Sequence, residues 1–303
     1  VEHVVLTLGD SRIEAALDAT IAHGAKAATM MSSLVLENDS APLLRDRVSA
    51  KIKDAGLIVC GANGMGFYNC ADGTWVCGFD TRDNHTRGGN VTLISHSGSG
   101  MSGILDCEER IDFNLAVSTG QELSVSMDQY MDYALEQPET RVIGLFMETA
   151  RNPEGMIGAF RKAGSKGIPV VVLKVGRTDL SARLAVSHSG AIAGRDDTYQ
   201  ALFDRYGVQR VHDMDELATA LIMFAQPPPV AAGLAVKLAA GAALAAIIPE
   251  RVKDPSGICI TGHSSCREQS NSAQGRLERV LECKSPTGLR QCGSIAAEAA
   301  PTA

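Results

Sequence analysis

Basic clusters are missing from this 303-residue sequence, in which 28 Lys and Arg stand against 35 Asp and Glu for a formal net charge of −7. A nucleic-acid-binding surface normally gathers Lys and Arg to neutralise backbone phosphates, so that class of partner is excluded. Long, strongly apolar runs are missing as well. The longest, residues 231–248, is mostly alanine with Lys237 inside it, too weakly hydrophobic for a bilayer core that needs about 20 strongly apolar residues. It reads as a soluble alanine-rich helix, and no membrane partner is expected. The eight cysteines (Cys60, Cys70, Cys77, Cys107, Cys259, Cys266, Cys283 and Cys292) show no close paired spacing, and no signal peptide precedes Val1. Reduced thiols and a cytoplasmic location are therefore expected. Cys259, His263, Cys266 and Cys283 match no standard zinc spacing, so no metal site is expected. A complete nucleotide-type domain usually opens with a strand and a glycine-rich turn, and neither stands before Val4, so the chain is expected to start inside a domain.

What remains is a globular composition, 45% hydrophobic and 21% charged, with room for about two domains. Val4 to Leu8 reads as a strand, Ser11 and Glu14 have capping-box spacing, and Ile13, Ala16, Leu17, Thr20 and Ile21 make one apolar helical face. Strand Lys26 to Met30, helix Ala41 to Ala55 and strand Leu57 to Cys60 repeat the pattern, which is α/β, parallel-sheet material. Residues 70–90, with Asp72-Gly73 and Gly88-Gly89-Asn90, read as a turn-rich linker. Five further strands, from Val91, Phe113, Val142, Pro169 and Val208, alternate with helices in a flavodoxin-like layout. Two domains follow from this, 1–88 and 89–226, with an unassigned alanine-rich and irregular region over 227–303 in which no compact third domain is evident.

Chemistry is expected in the loops beyond the strands. Ser95-His96-Ser97-Gly98-Ser99-Gly100 and Ser187-His188-Ser189-Gly190-Ala191-Ile192-Ala193-Gly194 each place small residues between a strand and a helix start. Small residues let backbone N–H groups approach an anion, and the helix adds the positive end of its dipole. The first loop lacks the Lys of a P-loop and the spacing of a dinucleotide fingerprint. Glu148, just past a strand end, is read either as a capping or solvated carboxylate or as the acceptor of a hydrogen bond from one nitrogen of His188. Gly61-Ala62-Asn63-Gly64-Met65-Gly66 follows the third strand, and Met65, Phe67 and Tyr68 are candidate borders of an acyl pocket.

Taken in chain order, Gly61 to Gly66, Ser95 to Gly98, Glu148 after its strand and Ser187 to Gly194 resemble the acyl-CoA synthetases of the NDP-forming type, relatives of the alpha subunit of succinyl-CoA synthetase, over residues 1 to about 226. The resemblance implies a truncated Rossmann-like domain that binds coenzyme A, followed by a flavodoxin-like ligase domain. It implies an enzyme interconverting a small carboxylic acid, coenzyme A and ATP with acyl-CoA, ADP and phosphate. It places a phosphohistidine at His188, its orienting carboxylate at Glu148, phosphate contacts at Ser95, Ser97, Gly98, Ser189 and Gly190, and coenzyme A or acyl contacts at Ser32, Asn63, Gly64 and Met65. ATP or ADP with Mg2+ would sit on a partner ATP-grasp domain or beta subunit, in an oligomer. The family's loop after the third strand usually reads Gly-Pro-Asn-Cys, where this sequence has Ala62 and Gly64 at two of the positions. The rival reading is a non-catalytic module of the same fold that binds coenzyme A or phosphate; a nicotinamide-dependent dehydrogenase is disfavoured because no Gly-x-Gly-x-x-Gly follows a first strand.

Overall fold

The computed structural model describes residues 2–79, 85, 88–176 and 196–226, and the backbone of 259–261 and 264–266. The His188 loop, with Ser189 and Gly190, lies outside the described residues. The chain divides into two compact units, 1–241 and 242–303. In the second, β11 (Cys259–Thr261) and β12 (Ser264–Cys266) pair antiparallel.

The first unit opens with a parallel sheet ordered β1-β2-β3: β1 His3–Leu6, β2 Ala27–Met30 and β3 Ile58–Gly61. Helix α1 (Asp10–Ala22) buries Ile13, Leu17 and Thr20, and α2 (Leu44–Ala55) buries Leu44, Val48 and Ile52. Each set is spaced at three or four residues, the stripe that a helix turns toward a core. The expected capping box at Ser11 does not form. Gly9 is the N-cap, and the Asp10 carboxylate reaches across to Ser33 Oγ (2.6 Å) and the Leu34 N–H (2.8 Å). Helix α2 starts at Leu44, not Ala41, because Pro42 disfavours a helical conformation before it and Asp39 accepts the Leu44 N–H at 2.6 Å.

The larger sheet has seven strands in the order β10-β9-β8-β6-β7-β4-β5. Its parallel part consists of β6 (Val91–Ser95), β7 (Phe113–Ser118), β8 (Val142–Met147), β9 (Val170–Lys174) and β10 (Gln209–Val211). Reading these in chain order gives the 2-1-3-4-5 arrangement of flavodoxin-like sheets. Strand β6 is buried at every position, as a parallel strand covered on both faces must be. Helices α3 (Gly98–Cys107), α4 (Met127–Glu136), α5 (Pro153–Lys166), α6 (Asp196–Tyr206) and α7 (Met214–Ala225) form the covers.

Helix α5 shows how the sequence sets these covers. Asn152 accepts the Gly155 N–H, Pro153 stands in the first turn, Met156, Ala159, Phe160 and Ala163 form the buried stripe, and Gly167 closes the helix at φ 67°. Phe160 meets Phe203 of α6 edge to face at 6.1 Å between ring centroids. The expected linker over 70–90 is corrected in its first part. There β4 (Gly66–Asn69) and β5 (Thr74–Cys77) make a hairpin, and β4 pairs antiparallel with β7. Burial alternates along β4, β-favouring Phe67, Tyr68, Trp75 and Val76 carry the two strands, and Gly73, at φ 64°, serves the turn between them.

Candidate functional site

The strand order reverses between β6 and β8, and open α/β sheets bind ligands beyond the carboxyl ends of their strands at such a point. The loop after β6 runs into the amino end of α3, where Ser97 is the N-cap and its Oγ accepts the Gly100 N–H at 3.1 Å. Ser95 Oγ donates to Ser97 O at 2.7 Å and accepts the Ser97 N–H at 3.2 Å, so this hydroxyl shapes the loop from within. A cavity of about 490 Å³ runs beside this helix end, lined by Ser97, Ser99, Gly100, Phe146 and Met214 among others.

Loops from both sheets converge here. The Met65 N–H donates to Ser118 Oγ (3.0 Å), the Gln121 N–H to Ala62 O (2.6 Å) and the Leu123 N–H to Gly61 O (2.9 Å). Gly64 is needed for this contact, since a Cβ on it would stand 2.5 Å from Ser118 O. A Cβ on Gly98 would collide with the Met65 side chain, which places Met65 directly against the first turn of α3. Asn63, at φ 54°, donates its N–H to Ser32 O (2.8 Å), while Ser32 Oγ donates to Leu8 O (2.6 Å). Ser32, Asn63, Gly64 and Met65 are thus brought together, and Met65 reaches the loop holding Ser97 and Gly98. Tyr68 does not join them. Tyr68 is buried in the core with its hydroxyl donating to Phe79 O (2.6 Å), and Phe67 stacks on His3 at 6.1 Å.

Glu148 is buried one residue beyond β8. Its backbone N–H donates to His96 Nδ1 at 2.9 Å. A backbone amide can only donate, so Nδ1 is the acceptor and the ring proton resides on Nε2. His96 Nε2 donates in turn to Glu122 Oε1 at 2.9 Å, an oxygen that also accepts the Met127 N–H at 2.8 Å. Glu122 adopts φ 53° and its side chain is wholly buried; its second oxygen faces Arg151 Nε at 3.5 Å. Burial lowers the proton affinity of the Arg151 guanidinium; Glu122 and Glu148 oppose the effect and Arg45 adds to it.

On the other flank, Tyr199 Oη accepts the Ala150 N–H at 2.9 Å and pairs with Thr149 Oγ1 at 3.4 Å. The buried Lys174 ammonium lies 4.6 Å from the Tyr199 ring centroid and donates to Val175 O at 2.5 Å. Burial pulls Lys174 down to about 8; Asp196 and Glu148 oppose this and Arg210 adds to it. The sequence reading did not single out His96, Glu122, Arg151, Lys174 or Tyr199. His96 carried a signal, because Ser-His-Ser-Gly occurs at 95–98 as well as at 187–190; Glu122 had none beyond its place in a loop after a strand. Among the described residues no group of three or more His, Cys, Asp or Glu side chains could hold a metal ion, and no helix is long and apolar enough to cross a membrane.

The order of strands and the loops gathered at the switch point define a flavodoxin-like α/β domain. Residues 88–224 match the model of the succinyl-CoA ligase like flavodoxin domain, and the chain is similar to ADP-forming acetate–CoA ligases. It is 32% identical over 155 residues to the alpha subunit of ADP-forming acetate–CoA ligase II from Pyrococcus furiosus, covering 50% of this chain and 34% of that one. It is 28% identical over 210 residues to ADP-forming acetate–CoA ligase II of Archaeoglobus fulgidus, covering 68% of this chain and 30% of the relative. Among solved structures it resembles the dinucleotide-forming acetyl-coenzyme A synthetase 1 of Ca. Korarchaeum cryptofilum, in complex with phosphate and ADP. That likeness has a TM-score of 0.63 at 25% identity and covers 73% of this chain and 48% of the other. The chain therefore spans between a third and a half of the length of the P. furiosus and Korarchaeum proteins, and less than a third of the A. fulgidus one.

Proposed function

We propose that the chain is the phosphoryl-carrying part of an NDP-forming acyl-CoA synthetase, interconverting a carboxylic acid, coenzyme A and ATP with acyl-CoA, ADP and phosphate. The observation that carries this reading is the placement of Glu148 and the amino end of α3 on the two sides of the switch point, in a domain of the succinyl-CoA ligase type. His188 takes the phosphoryl group. A neutral imidazole nitrogen attacks phosphorus, the bond from phosphorus to the leaving oxygen breaks, and a carboxylate at Glu148 orients the ring and stabilises the positive charge it gains. The first turn of α3, at Ser97 and Gly98, with Ser189 and Gly190 beside His188, holds the phosphoryl oxygens; Ser95 acts by shaping that turn. Met65 supplies an apolar wall against Gly98 that fits an acyl group, and Ser32, Asn63 and Gly64 form the loop face toward coenzyme A.

In this reading ATP or ADP, with the Mg2+ that neutralises its phosphates, is held by an ATP-grasp domain or beta subunit, in a cytoplasmic oligomer. The alpha-subunit name of the P. furiosus relative and the phosphate and ADP in the Korarchaeum structure support it. The test is labelling with radiolabelled ATP in the presence of an ATP-grasp subunit. The chain should gain an acid-labile, base-stable phosphate that His188→Asn does not acquire. Equal labelling of the variant refutes the mechanism, and binding to immobilised coenzyme A with no label on the unaltered chain favours the non-catalytic module.

A further inference from the structure

We infer that His96 is a positioning residue that fixes the Glu148 loop; the inference rests on the phosphoryl-transfer reading of Glu148 above. Strand β8 ends at Met147, so the Glu148 amide has left the sheet ladder, and an unpartnered buried amide is costly. His96 Nδ1 takes that amide at 2.9 Å. Two residues on, Tyr199 Oη takes the Ala150 amide at 2.9 Å. Side chains from two separate elements, the loop after β6 and helix α6, thereby hold alternate amides of the segment that carries Glu148.

The tautomer decides whether this clamp exists. With its proton on Nε2, directed at Glu122 Oε1, His96 presents a lone pair to the Glu148 N–H. A proton on Nδ1 would set two donors face to face and release the amide. Glu122 is itself fixed by the Met127 N–H, with Arg151 Nε facing its other oxygen at 3.5 Å, so the tautomer is determined from the loop after β7. The chain of contacts runs from Glu122 through the His96 ring to the main chain of Glu148, and ends where the carboxylate must be aimed. A displacement of about 1 Å at such a group can slow a reaction by about 100-fold.

Two substitutions separate the ends of the ring. In His96→Asn the side-chain oxygen stands where Nδ1 stood and can accept the Glu148 amide, while the contact to Glu122 is lost. In His96→Gln the amide nitrogen stands where Nε2 stood and keeps Glu122, while the acceptor for Glu148 is lost. In the full chain, hydrogen exchange at the Glu148 amide should stay slow in His96→Asn and become fast in His96→Gln. With an ATP-grasp subunit and radiolabelled ATP, the rate of labelling should fall by about 10- to 100-fold in His96→Gln, and His96→Asn should recover most of that loss. Equal rates in the two variants, with the unaltered chain labelled, overturn the positioning role and leave the proposed function standing. No label on the unaltered chain overturns both.

Discussion

Lys174→Met isolates the energetic consequence of a cation placed inside the site. The ammonium is 1% exposed, donates to Val175 O at 2.5 Å and lies 4.6 Å from the Tyr199 ring centroid. Burial pulls its pKa from 10.5 to about 8. Because the folded value lies below the ordinary one, the unfolded chain holds a proton between about 8 and 10.5 that the folded chain does not. Stability from this group therefore rises with pH across that window, and below it the full penalty of the buried cation is present. At about 1.4 kcal/mol for each tenfold change in proton affinity, the penalty is bounded near 3 kcal/mol. Relaxation of the surrounding structure around the charge lowers this to about 1–2 kcal/mol. Methionine keeps the length and apolar stem of the side chain and removes the charge. The lost contact to Val175 O is the same at every pH, so it cancels in a comparison between two pH values. Urea unfolding of both proteins at pH 7 and pH 10 should show the variant more stable, relative to the parent, at pH 7 than at pH 10 by about 1–2 kcal/mol. A difference between the proteins that does not change with pH would refute the claim that Lys174 is held as a destabilised cation.

Glu122→Gln should destabilise the fold by about 3 kcal/mol in urea unfolding, because it leaves the Arg151 guanidinium facing a neutral group in a largely buried position; a loss below about 0.5 kcal/mol would mean that the charge pair does not form. Ser97→Ala removes the acceptor of the Gly100 N–H and should cost about 1 kcal/mol in the same assay. If Ser97→Gly costs as much as Ser97→Ala, the side-chain cap is not the source of the loss.

Regular elements were legible wherever one periodicity acted without competition. Ile13, Leu17 and Thr20 form the buried face of α1 that their spacing implies, and the central strands fall within a residue or two of their buried runs. The errors lie where a tertiary contact took a side chain that local rules had assigned. Asp10, in the first turn of α1, holds Ser33 and Leu34, and the helix begins ahead of the expected cap at Ser11, with Gly9 as its N-cap. The Asn69 to Gly73 stretch has the composition of a linker, yet it turns a hairpin because Tyr68 and Val76 on either side of it have a sheet to join. The site divides in the same way. Small residues after β6, Glu148 after β8 and Met65 after β3 could be placed from the order of elements alone. The His96, Glu122 and Arg151 contacts could not, because they join loops 26 and 29 residues apart through side-chain directions that no local spacing encodes.

Charge explains why those directions matter. Within this site Glu122 and Glu148 stand near Arg151 and Lys174, two carboxylates and two cations held largely out of water. A buried set of this kind is tolerable only if each charge has a partner, since removing one leaves another uncompensated in a medium where it cannot be screened. On the proposed function, a phosphoryl group arriving beside Glu148 would add negative charge to this set. The compensation available is the amino end of α3, whose dipole is fixed and requires no side chain to move. On that proposal, phosphate and carboxylate would share the switch point only while the carboxylate is kept at a set distance and direction. That restraint falls on the amide of Glu148, and the neutral ring of His96 supplies it without adding another charge.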